Sequence, residues 1–253
     1  MSNIEKISEG QQVSMHDDWF DIADQNHFWM KWRWRSIAKS KKYLPTKGQT
    51  FLEIGSGNGI SVDQFENYTS CIVDGCDLNE KALLLSKPSK GRKLLYNIYD
   101  KKSDLINHYD GIILLDVLEH IDDDLQFLQT ALLHSKNNGN LIVNVPAHQW
   151  LYSDYDKAVG HVRRYSPSTL KSLLEQANLS DIKVYSWGAS LIPIALLRKK
   201  MIAGKGEDII KAGFKPSSKF IDFFLTTLMK IETSLPLPCP FGTSLIAVAK
   251  INK

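Results

Sequence analysis

The stretch Thr50–Gly59, with the sequence TFLEIGSGNG, decides the fold of this chain. Its first five residues form a short β-prone run, and Gly55, Gly57 and Gly59 then alternate with small polar residues. Glycine suits positions where the backbone takes a positive φ or where another group approaches it closely. A helix that starts after such a turn directs its free N–H groups at the space above the turn, where an anion is favoured. The stretch therefore predicts a strand, a tight turn and a helix N-terminus.

A second acidic residue, Asp77, lies about 20 residues beyond the glycine turn, a spacing typical of nucleotide sites in open α/β sheets. It ends the apolar run that starts at Cys71. A carboxylate in this position can accept hydrogen bonds from both hydroxyls of a ribose. The spacing predicts a nucleoside ligand without identifying it.

Segments typical of strands and of helices alternate through the next part of the chain. Strands are expected over Lys93–Ile98 and Asn140–Pro146, and the continuous apolar run Ile112–Leu115 is typical of a strand buried on both faces. A helix is expected over Asp122–Ser135. This alternation predicts a parallel sheet with helices on both faces.

The two ends of the chain add segments to this sheet. Residues 1–18 are polar and are expected to be loose, and an aromatic-rich helix is expected from His27 to Tyr43. Because this helix is aromatic on several faces, it is expected to pack on the sheet, to cover the ligand, or to do both. These segments form an N-terminal unit over 1–44, followed by a core over 45–187.

The last two strands are expected at Asp181–Trp187 and Thr243–Ile251, with a large insertion over 188–242 between them. The insertion contains a basic cluster, Arg198–Lys200, and an apolar helix near Lys219–Glu232. This helix is expected to pack on the core or in a dimer interface. A position on an anionic membrane surface, where it would meet a lipid-linked acceptor, is the alternative.

The composition excludes several classes of protein. A net charge of +3 over 253 residues gives no reason to expect a nucleic-acid partner. The three cysteines, Cys71, Cys76 and Cys239, argue against a disulfide framework and a zinc site and fit a reducing cytosol. No signal peptide and no apolar window of about 18 residues is found, so the protein is expected to be cytoplasmic and to have no transmembrane helix. It is expected to be a monomer or a homodimer and to bind no metal.

Four motifs occur in the order that resembles class I S-adenosylmethionine-dependent methyltransferases. They are Glu53–Gly59, Asp77, Asp116–His120 and Gly139–Val143. The resemblance covers roughly residues 45–180, and the sequence DVLEH at Asp116 resembles the branch that includes the ubiquinone and menaquinone biosynthesis methyltransferases. It implies an α/β, Rossmann-like fold: a seven-stranded, mostly parallel sheet with helices on both faces, an antiparallel last strand, and a helical insertion between strands six and seven.

The resemblance also assigns roles to residues of the cofactor site. The glycine turn would hold the methionine part of S-adenosylmethionine, Asp77 its ribose and Leu78 its adenine. The adenine-side acid has no clear match, and Asn97, Tyr99 or Asp100 could take its place. The residues implied to bind the cofactor are Glu53, Gly55, Ser56, Gly57, Asn58, Gly59, Asp77, Leu78, Asn97, Asp116, Val117 and His120.

Methyl transfer to an oxygen, and less so to a nitrogen, of a small molecule or a glycan or lipid-linked precursor is the expected reaction. The segments around His27 and His161 resemble a bacterial subgroup associated with polysaccharide or lipid-linked sugar pathways. An alcohol acceptor needs a base, for which His161 or His148 is the candidate, although a structural role is open for each. Acceptor contacts are expected in the long segment 147–166 and in the N-terminal helix, namely from Trp29, Tyr152, Asp156, Arg163, Arg164 and Tyr165. Arg163 and Arg164 could instead pair with the acids of their own segment.

Two other functions remain open at this point. An oxidoreductase that binds NAD would require Gly-x-Gly-x-x-Gly, but here the third glycine falls one place early and Ile60 stands in its position. A non-catalytic binding protein could keep the same cofactor fold. The motif Asp116–His120 argues against the oxidoreductase.

Overall fold

The computed structural model describes residues 4–11, 26–202, 219–235 and 240–253, and its strands form a single sheet. The strands are β1 Ile4–Lys6, β2 Thr50–Ile54, β3 Ile72–Asp77, β4 Lys93–Leu95, β5 Tyr109–Leu115, β6 Ser135–Pro146, β7 Leu179–Trp187 and β8 Ser244–Ile251. The helices are α1 Phe28–Ile37, α2 Ile60–Thr69, α3 Glu80–Leu85, α4 Asp124–Leu132, α5 Asp154–Ala158, α6 Pro167–Gln176, α7 Ile192–Ile202 and α8 Lys219–Ser234. Short 3-10 turns include Leu118–His120 and Gln149–Leu151.

The sheet has the order β1-β4-β3-β2-β5-β6-β8-β7. The strands from β1 to β6 pair in parallel, and β8 is antiparallel to both of its neighbours, β6 and β7. The expected Rossmann-like sheet with an antiparallel last strand is therefore confirmed. The order reverses at β2, so the carboxyl ends of β2 and β5 flank a crevice where ligands of such sheets bind.

An eighth strand corrects the expectation that residues 1–18 are loose. Ile4–Lys6 pairs in parallel with β4 at the edge of the sheet. A strand of three residues is too short to show an alternating pattern, and its partner lies almost ninety positions away in the sequence. The expectation that residues 1–3 and 12–18 are loose lies outside the described residues. Among the residues that the structure describes, no helix is long and apolar enough to cross a membrane.

Helix α1 packs on one face of the sheet, as the aromatic pattern predicted. Trp32 and Trp34 are buried in a cluster with Phe51 of β2 and with Met229 of α8. The helix ends at Ile37 rather than near Tyr43, because the Tyr43 ring turns into the interior and its hydroxyl donates to the Asp181 carbonyl at 3.0 Å. The predicted segment Trp19–Asp24 lies outside the described residues.

The boundary between α4 and β6 differs from the prediction. The helix ends at Leu132 and the strand already begins at Ser135, so Gly139 lies inside the strand instead of ending the helix. A Cβ added at Gly139 would stand 2.1 Å from Ser135 Oγ. Glycine is therefore required here for a close approach within the strand, next to a shift in register between Tyr109 and Gly111.

Candidate functional site

The glycine turn connects β2 to α2 and is fixed to the neighbouring strand β3. The backbone N–H groups of Gly55 and Ser56 both donate to the Cys76 carbonyl, at 2.8 and 3.0 Å. Gly55, Gly57 and Gly59 have φ values of +75°, +53° and +73°. Positive φ at three alternating positions explains why this turn needs glycine.

Gly55 and Gly59 each have a further role in the turn. A Cβ added at Gly55 would lie 2.7 Å from Val117 Cγ2, so the turn and the end of β5 approach each other too closely for any side chain. Gly59 is the N-cap of α2 and offers no side chain to the first-turn N–H groups. These N–H groups are therefore available to an anionic group above the turn.

The carboxylate of Asp77 orders the same turn from the end of β3. Its Oδ2 accepts the Gly57 N–H and its Oδ1 accepts the Asn79 N–H, both at 2.8 Å. Burial raises the pKa of Asp77, and the backbone N–H donors oppose this rise. The carboxylate thus lies at the carboxyl end of its strand, where the sequence predicted a ribose ligand.

A cavity of about 520 Å³ opens above the carboxyl ends of β2, β3 and β5. This size is within the range of sites for small molecules and cofactors. Ten of the twelve residues implied to bind the cofactor line it: Gly55, Ser56, Gly57, Asn58, Asp77, Leu78, Asn97, Asp116, Val117 and His120. Near the end of β4 the cavity is bounded by Asn97 and Tyr99 together with Tyr96 and Ile98, while Asp100 is not among the lining residues.

Glu53, the acid of the glycine motif, does not line this cavity. It is almost fully buried behind the turn, where it accepts a hydrogen bond from the Ser61 hydroxyl. Burial raises the pKa of Glu53 to about 7, although the Ser61 hydrogen bond and the charge of Arg33 lower it. Gly59 also lies outside the lining, so these two residues act through the shape of the turn rather than by contact with the cavity.

Asp116 joins the cavity to three distant parts of the chain. Its Oδ2 accepts from Arg33 Nη1 of α1 at 2.6 Å, and its Oδ1 accepts from Asn144 Nδ2 of β6 at 2.6 Å. Asn144 Oδ1 in turn accepts from Trp187 Nε1 at 2.9 Å. Asp116 has a φ of +59°, an uncommon conformation for a residue other than glycine and one found at functional sites.

Arg33 and Met30 of α1 line the cavity, so the N-terminal helix forms part of its wall. Arg33 has an almost fully buried guanidinium, and among the described residues its Nε has no hydrogen-bond partner. Neither residue was predicted to bind the cofactor. Arg33 lies in the aromatic run after His27, and its partner Asp116 is distant in the sequence, so no local signal points to the pair.

Three histidines lie near the cavity at different depths. His120 lines it, and burial lowers the pKa of His120 to about 4, assisted by the neighbouring His161. The His161 ring, which does not line the cavity, meets the His120 ring edge to face, with 4.8 Å between centroids. His161 Nδ1 lies 2.9 Å from Asp156 Oδ1, so the Asp156 carboxylate orients the ring by accepting a hydrogen bond from Nδ1.

Asp156 orients His161 and is itself held by Arg164. Arg164 donates from Nε and Nη2 to the two carboxylate oxygens, at 2.7 and 3.1 Å. Although burial alone would raise it, the hydrogen bonds from His161 and Arg164 hold the pKa of Asp156 well below its usual value. Asp156 is therefore an anion in the interior, and it forms a histidine–carboxylate pair with His161.

Glu119 completes this buried group of ionisable side chains. Its side chain is fully buried, its carboxylate oxygens have no hydrogen-bond partner among the described residues, and Oε1 lies 3.9 Å from His161 Nε2. Burial, followed by the charge of Asp116, raises the pKa of Glu119 well above its usual value. Ligand atoms of Glu119, His120 and His161 lie within 4.8 Å of one another, which is a grouping that could hold a cation.

His148, the other candidate base, lies at the end of β6 and not in the cavity lining. Its φ is +61°, and its Nε2 has no hydrogen-bond partner in the part of the chain that the structure describes. The ring stacks on Trp150, with 5.5 Å between centroids. Burial lowers the pKa of His148, and the charge of Arg164 adds to this.

The segment 147–166 is more ordered than expected. It contains α5, whose N-cap Ser153 donates its N–H to Asp156 Oδ2 at 2.9 Å. Arg164 pairs with Asp156 of the same segment, while Arg163 Nη1 donates to Asp124 Oδ2 of α4 at 2.9 Å. The alternative that the arginines pair with acids of their own segment therefore describes Arg164 but not Arg163, whose partner lies outside the segment. Their contact with an acceptor stays a prediction.

Burial conflicts with two of the expected acceptor contacts. Asp156 is fully buried and Tyr165 is 3% exposed, because the Tyr165 hydroxyl donates to Asp124 Oδ2 at 2.7 Å. Both residues hold the segment together instead of facing a ligand. Tyr152 donates from its hydroxyl to the His161 carbonyl at 2.6 Å, and Trp29 packs 4.7 Å from the Trp187 ring. Trp29 and Tyr152 are half-buried, so they stay predictions.

Comparison with known proteins identifies the family of this chain. A family model described as a methyltransferase domain matches residues 26–184. This match starts two residues before α1, so it includes the helix that carries Met30 and Arg33 as well as all the motifs of the cavity.

Individual relatives are distant. The mitochondrial ubiquinone biosynthesis O-methyltransferase of Dictyostelium discoideum is 25% identical over an alignment of 123 residues that covers 43% of this chain and 38% of that protein. Thus the aligned part spans well under half of the length of this relative. Among solved structures, phosphoethanolamine N-methyltransferase 2 of Haemonchus contortus in complex with S-adenosyl-L-methionine has a TM-score of 0.57 at 18% identity, covering 87% of this chain and 52% of that chain. An S-adenosylmethionine-dependent methyltransferase of Archaeoglobus fulgidus has a TM-score of 0.55 at 17% identity, and the match covers 87% of this chain and 93% of that chain.

These structural likenesses show the fold, and the family model adds the identity of the domain. The chain therefore belongs to the family of methyltransferase domains, and the resemblance seen in its sequence is confirmed.

Proposed function

We propose that this methyltransferase uses S-adenosylmethionine to methylate an oxygen of a small molecule or of a glycan or lipid-linked precursor. The observation that carries the proposal is the cavity above β2, β3 and β5, which combines a glycine turn, a helix N-terminus and Asp77. The solved structure from Haemonchus contortus, which holds S-adenosyl-L-methionine, has the same fold and supports this cofactor.

The lining of the cavity fits the parts of this cofactor. The first-turn N–H groups of α2 suit its carboxylate, and Asp77 suits the two ribose hydroxyls. Tyr96, Ile98 and Leu78 offer apolar surface for adenine. When bound, the cofactor supplies an electrophilic methyl group on a sulfonium, and the residues of the chain set the distance and line of attack.

Transfer to an oxygen is favoured by the acid–base group beside the cavity. A hydroxyl acceptor must lose a proton as the oxygen–carbon bond forms, whereas a neutral amine can attack first and lose a proton later. We propose that His161, which the Asp156 carboxylate orients at Nδ1 and whose ring contacts the His120 ring of the cavity lining, takes up this proton. The curated relative named an O-methyltransferase supports the same choice, although solved structures of the same fold include an N-methyltransferase.

The proposed reaction is tested with matched acceptors. Purified full-length protein is incubated with methyl-labelled S-adenosylmethionine and with pairs of polyols, phenols and sugars that differ only in a hydroxyl or an amine. We expect labelled product from hydroxyl acceptors, located on oxygen by mass spectrometry. Product from amines alone would overturn the oxygen assignment. The protein could bind S-adenosylhomocysteine but transfer no methyl group to any of these acceptors or to the small molecules of a cell extract. That result would favour a non-catalytic binding protein.

Replacing His161 by glutamine is expected to reduce kcat by about 10²–10⁴-fold, the usual contribution of a general base. Glutamine cannot accept the proton, but its size keeps the packing against His120. We expect the affinity for S-adenosylhomocysteine, measured by calorimetry, to change by less than about twofold, because His161 does not line the cavity.

Two further histidine variants make this result specific. His108→Gln changes an exposed histidine far from the cavity and should leave kcat unchanged. His148→Gln tests the alternative base. If His161→Gln keeps full activity across the pH range while His148→Gln loses it, the base is His148.

A further inference from the structure

The N-terminal segment Ile4–Gln11 crosses the carboxyl ends of two strands beside the cavity. It begins as β1 at the edge of the sheet, where it pairs with β4. Just after β1, the Ser8 N–H donates to the carbonyl of Leu95, the last residue of β4, at 3.0 Å. The Gln11 N–H donates to the Leu78 carbonyl at 2.9 Å, one residue past the end of β3. The segment therefore runs from the edge of the sheet across the end of β4 to the end of β3.

Side-chain contacts fix the same segment to the core. The Ser8 hydroxyl donates to Asp100 Oδ2 at 2.5 Å and accepts the Asn97 N–H at 2.8 Å. In β1, Lys6 Nζ lies 2.6 Å from Glu80 Oε1 of α3. Because these contacts reach the ends of two strands and a helix, they determine where the segment passes the cavity.

Gln11 lines the cavity in the part that suits the adenine of the cofactor. The ribose lies between the methionine part and the base, and its proposed ligand Asp77 ends β3, next to the glycine turn that follows β2. The sheet order β4-β3-β2 therefore places the base on the β4 side of Asp77. The apolar lining residues Leu78, Tyr96 and Ile98 follow the ends of β3 and β4. Since the backbone of Gln11 is bonded to Leu78, Gln11 borders this apolar part.

The polar residues after β4 are already engaged in local hydrogen bonds. The carboxylate of Asp100 is held by Ser8 and does not line the cavity. Asn97 Oδ1 accepts the Tyr99 N–H at 3.1 Å, and the Asn97 N–H is donated to the Ser8 hydroxyl. Adenine presents an amine that needs an acceptor and ring nitrogens that need a donor, and the side-chain amide of Gln11 has both.

We propose that Gln11 binds the adenine of S-adenosylmethionine. Its amide oxygen would accept from the 6-amine of the base, and its amide N–H would donate to a ring nitrogen, a pair of hydrogen bonds in which a glutamine amide matches adenine. The bonded segment before it positions this amide at the cavity. The inference rests on the proposed cofactor site. It adds a ligand contact from a part of the chain that precedes residues 26–184, which the family model matches.

The test is calorimetric titration of the full chain with S-adenosylhomocysteine and with its analogue that has purine in place of adenine and so lacks only the 6-amine. The natural chain should bind S-adenosylhomocysteine about tenfold more tightly than the analogue. Gln11→Ala should bind S-adenosylhomocysteine about tenfold more weakly than the natural chain does. It should bind the two ligands within about twofold of each other, because the variant and the analogue remove the two partners of one hydrogen bond.

The control is Gln129→Ala, which removes an exposed glutamine of α4 outside the cavity lining and should bind both ligands as the natural chain does. Thermal unfolding establishes that each variant is folded. The proposal is overturned if Gln11→Ala keeps its affinity for S-adenosylhomocysteine, or if it keeps the preference for adenine over purine. In both cases the natural chain still binds S-adenosylhomocysteine and the cofactor site stands. A natural chain that does not bind S-adenosylhomocysteine would overturn the cofactor site and this inference together.

Discussion

Replacing Asp77 by alanine is expected to lower the affinity for S-adenosylhomocysteine at least about 100-fold. The carboxylate would accept hydrogen bonds from both ribose hydroxyls, and hydrogen bonds to a charged group contribute about 1.5–3 kcal/mol each. A 100-fold loss corresponds to about 2.7 kcal/mol, which is within the sum of two such bonds. Because Asp77 also accepts the Gly57 N–H, its loss loosens the glycine turn as well. Isothermal titration calorimetry measures the effect directly.

Two variants separate the ribose contact from the general loss of a carboxylate. Asp77→Asn keeps one side-chain oxygen and should lie between alanine and the natural residue. Asp104→Ala removes an exposed carboxylate at a distance from the cavity lining and should bind S-adenosylhomocysteine normally. Unchanged affinity in Asp77→Ala would mean that the cofactor is not held as proposed.

Replacing Gly55 by alanine is expected to reduce the affinity for S-adenosylhomocysteine at least tenfold and to lower the stability of the protein. The new Cβ would lie 2.7 Å from Val117 Cγ2, so either the glycine turn or the end of β5 must move. Both of these line the cavity. The positive φ adds a cost of about 1–2 kcal/mol for a residue with a Cβ. Calorimetric titration and thermal unfolding measure the two effects.

Gly48→Ala is the matched control for backbone strain. Gly48 has a φ of +87°, but an added Cβ would meet nothing within 4 Å. This variant should lose about 1–2 kcal/mol of stability and keep its affinity for S-adenosylhomocysteine. Equal loss of affinity in both variants would show that strain, and not the approach of Val117, controls the site.

The parts of the fold that could be predicted are those with a local signal. A few residues are enough to recognise each of three features: the glycine turn, the buried run of β5 and the acid that ends β3. Their backbone conformation or burial restricts the residue types that can occur there. Because these strand segments alternate with helices along the chain, they predict a mostly parallel sheet. Ten of the twelve implied cofactor residues line the cavity for the same reason: they follow strands whose ends meet at one edge.

The features that escaped prediction depend on contacts between distant segments. β1 is too short for a pattern, and the pairing of Arg33 with Asp116 joins residues 83 positions apart. The interior role of Asp156 could have been predicted from the sequence. Ser153 and Asp156 have the spacing of a capping box, which predicts the start of α5 and would have turned the expected acceptor contact of Asp156 into an interior role.

The bonds from Arg33 through Asp116 and Asn144 to Trp187 have a consequence for how the chain can be divided. A fragment that starts at residue 45 would keep every motif of the expected core, but it would leave Asp116 without its cation and the cavity without the wall that Met30 and Arg33 form. We therefore expect the smallest portable binding unit to include α1. In an experiment that transplants or circularly permutes this protein, the cut belongs before Asn26 and not in the linker after the helix.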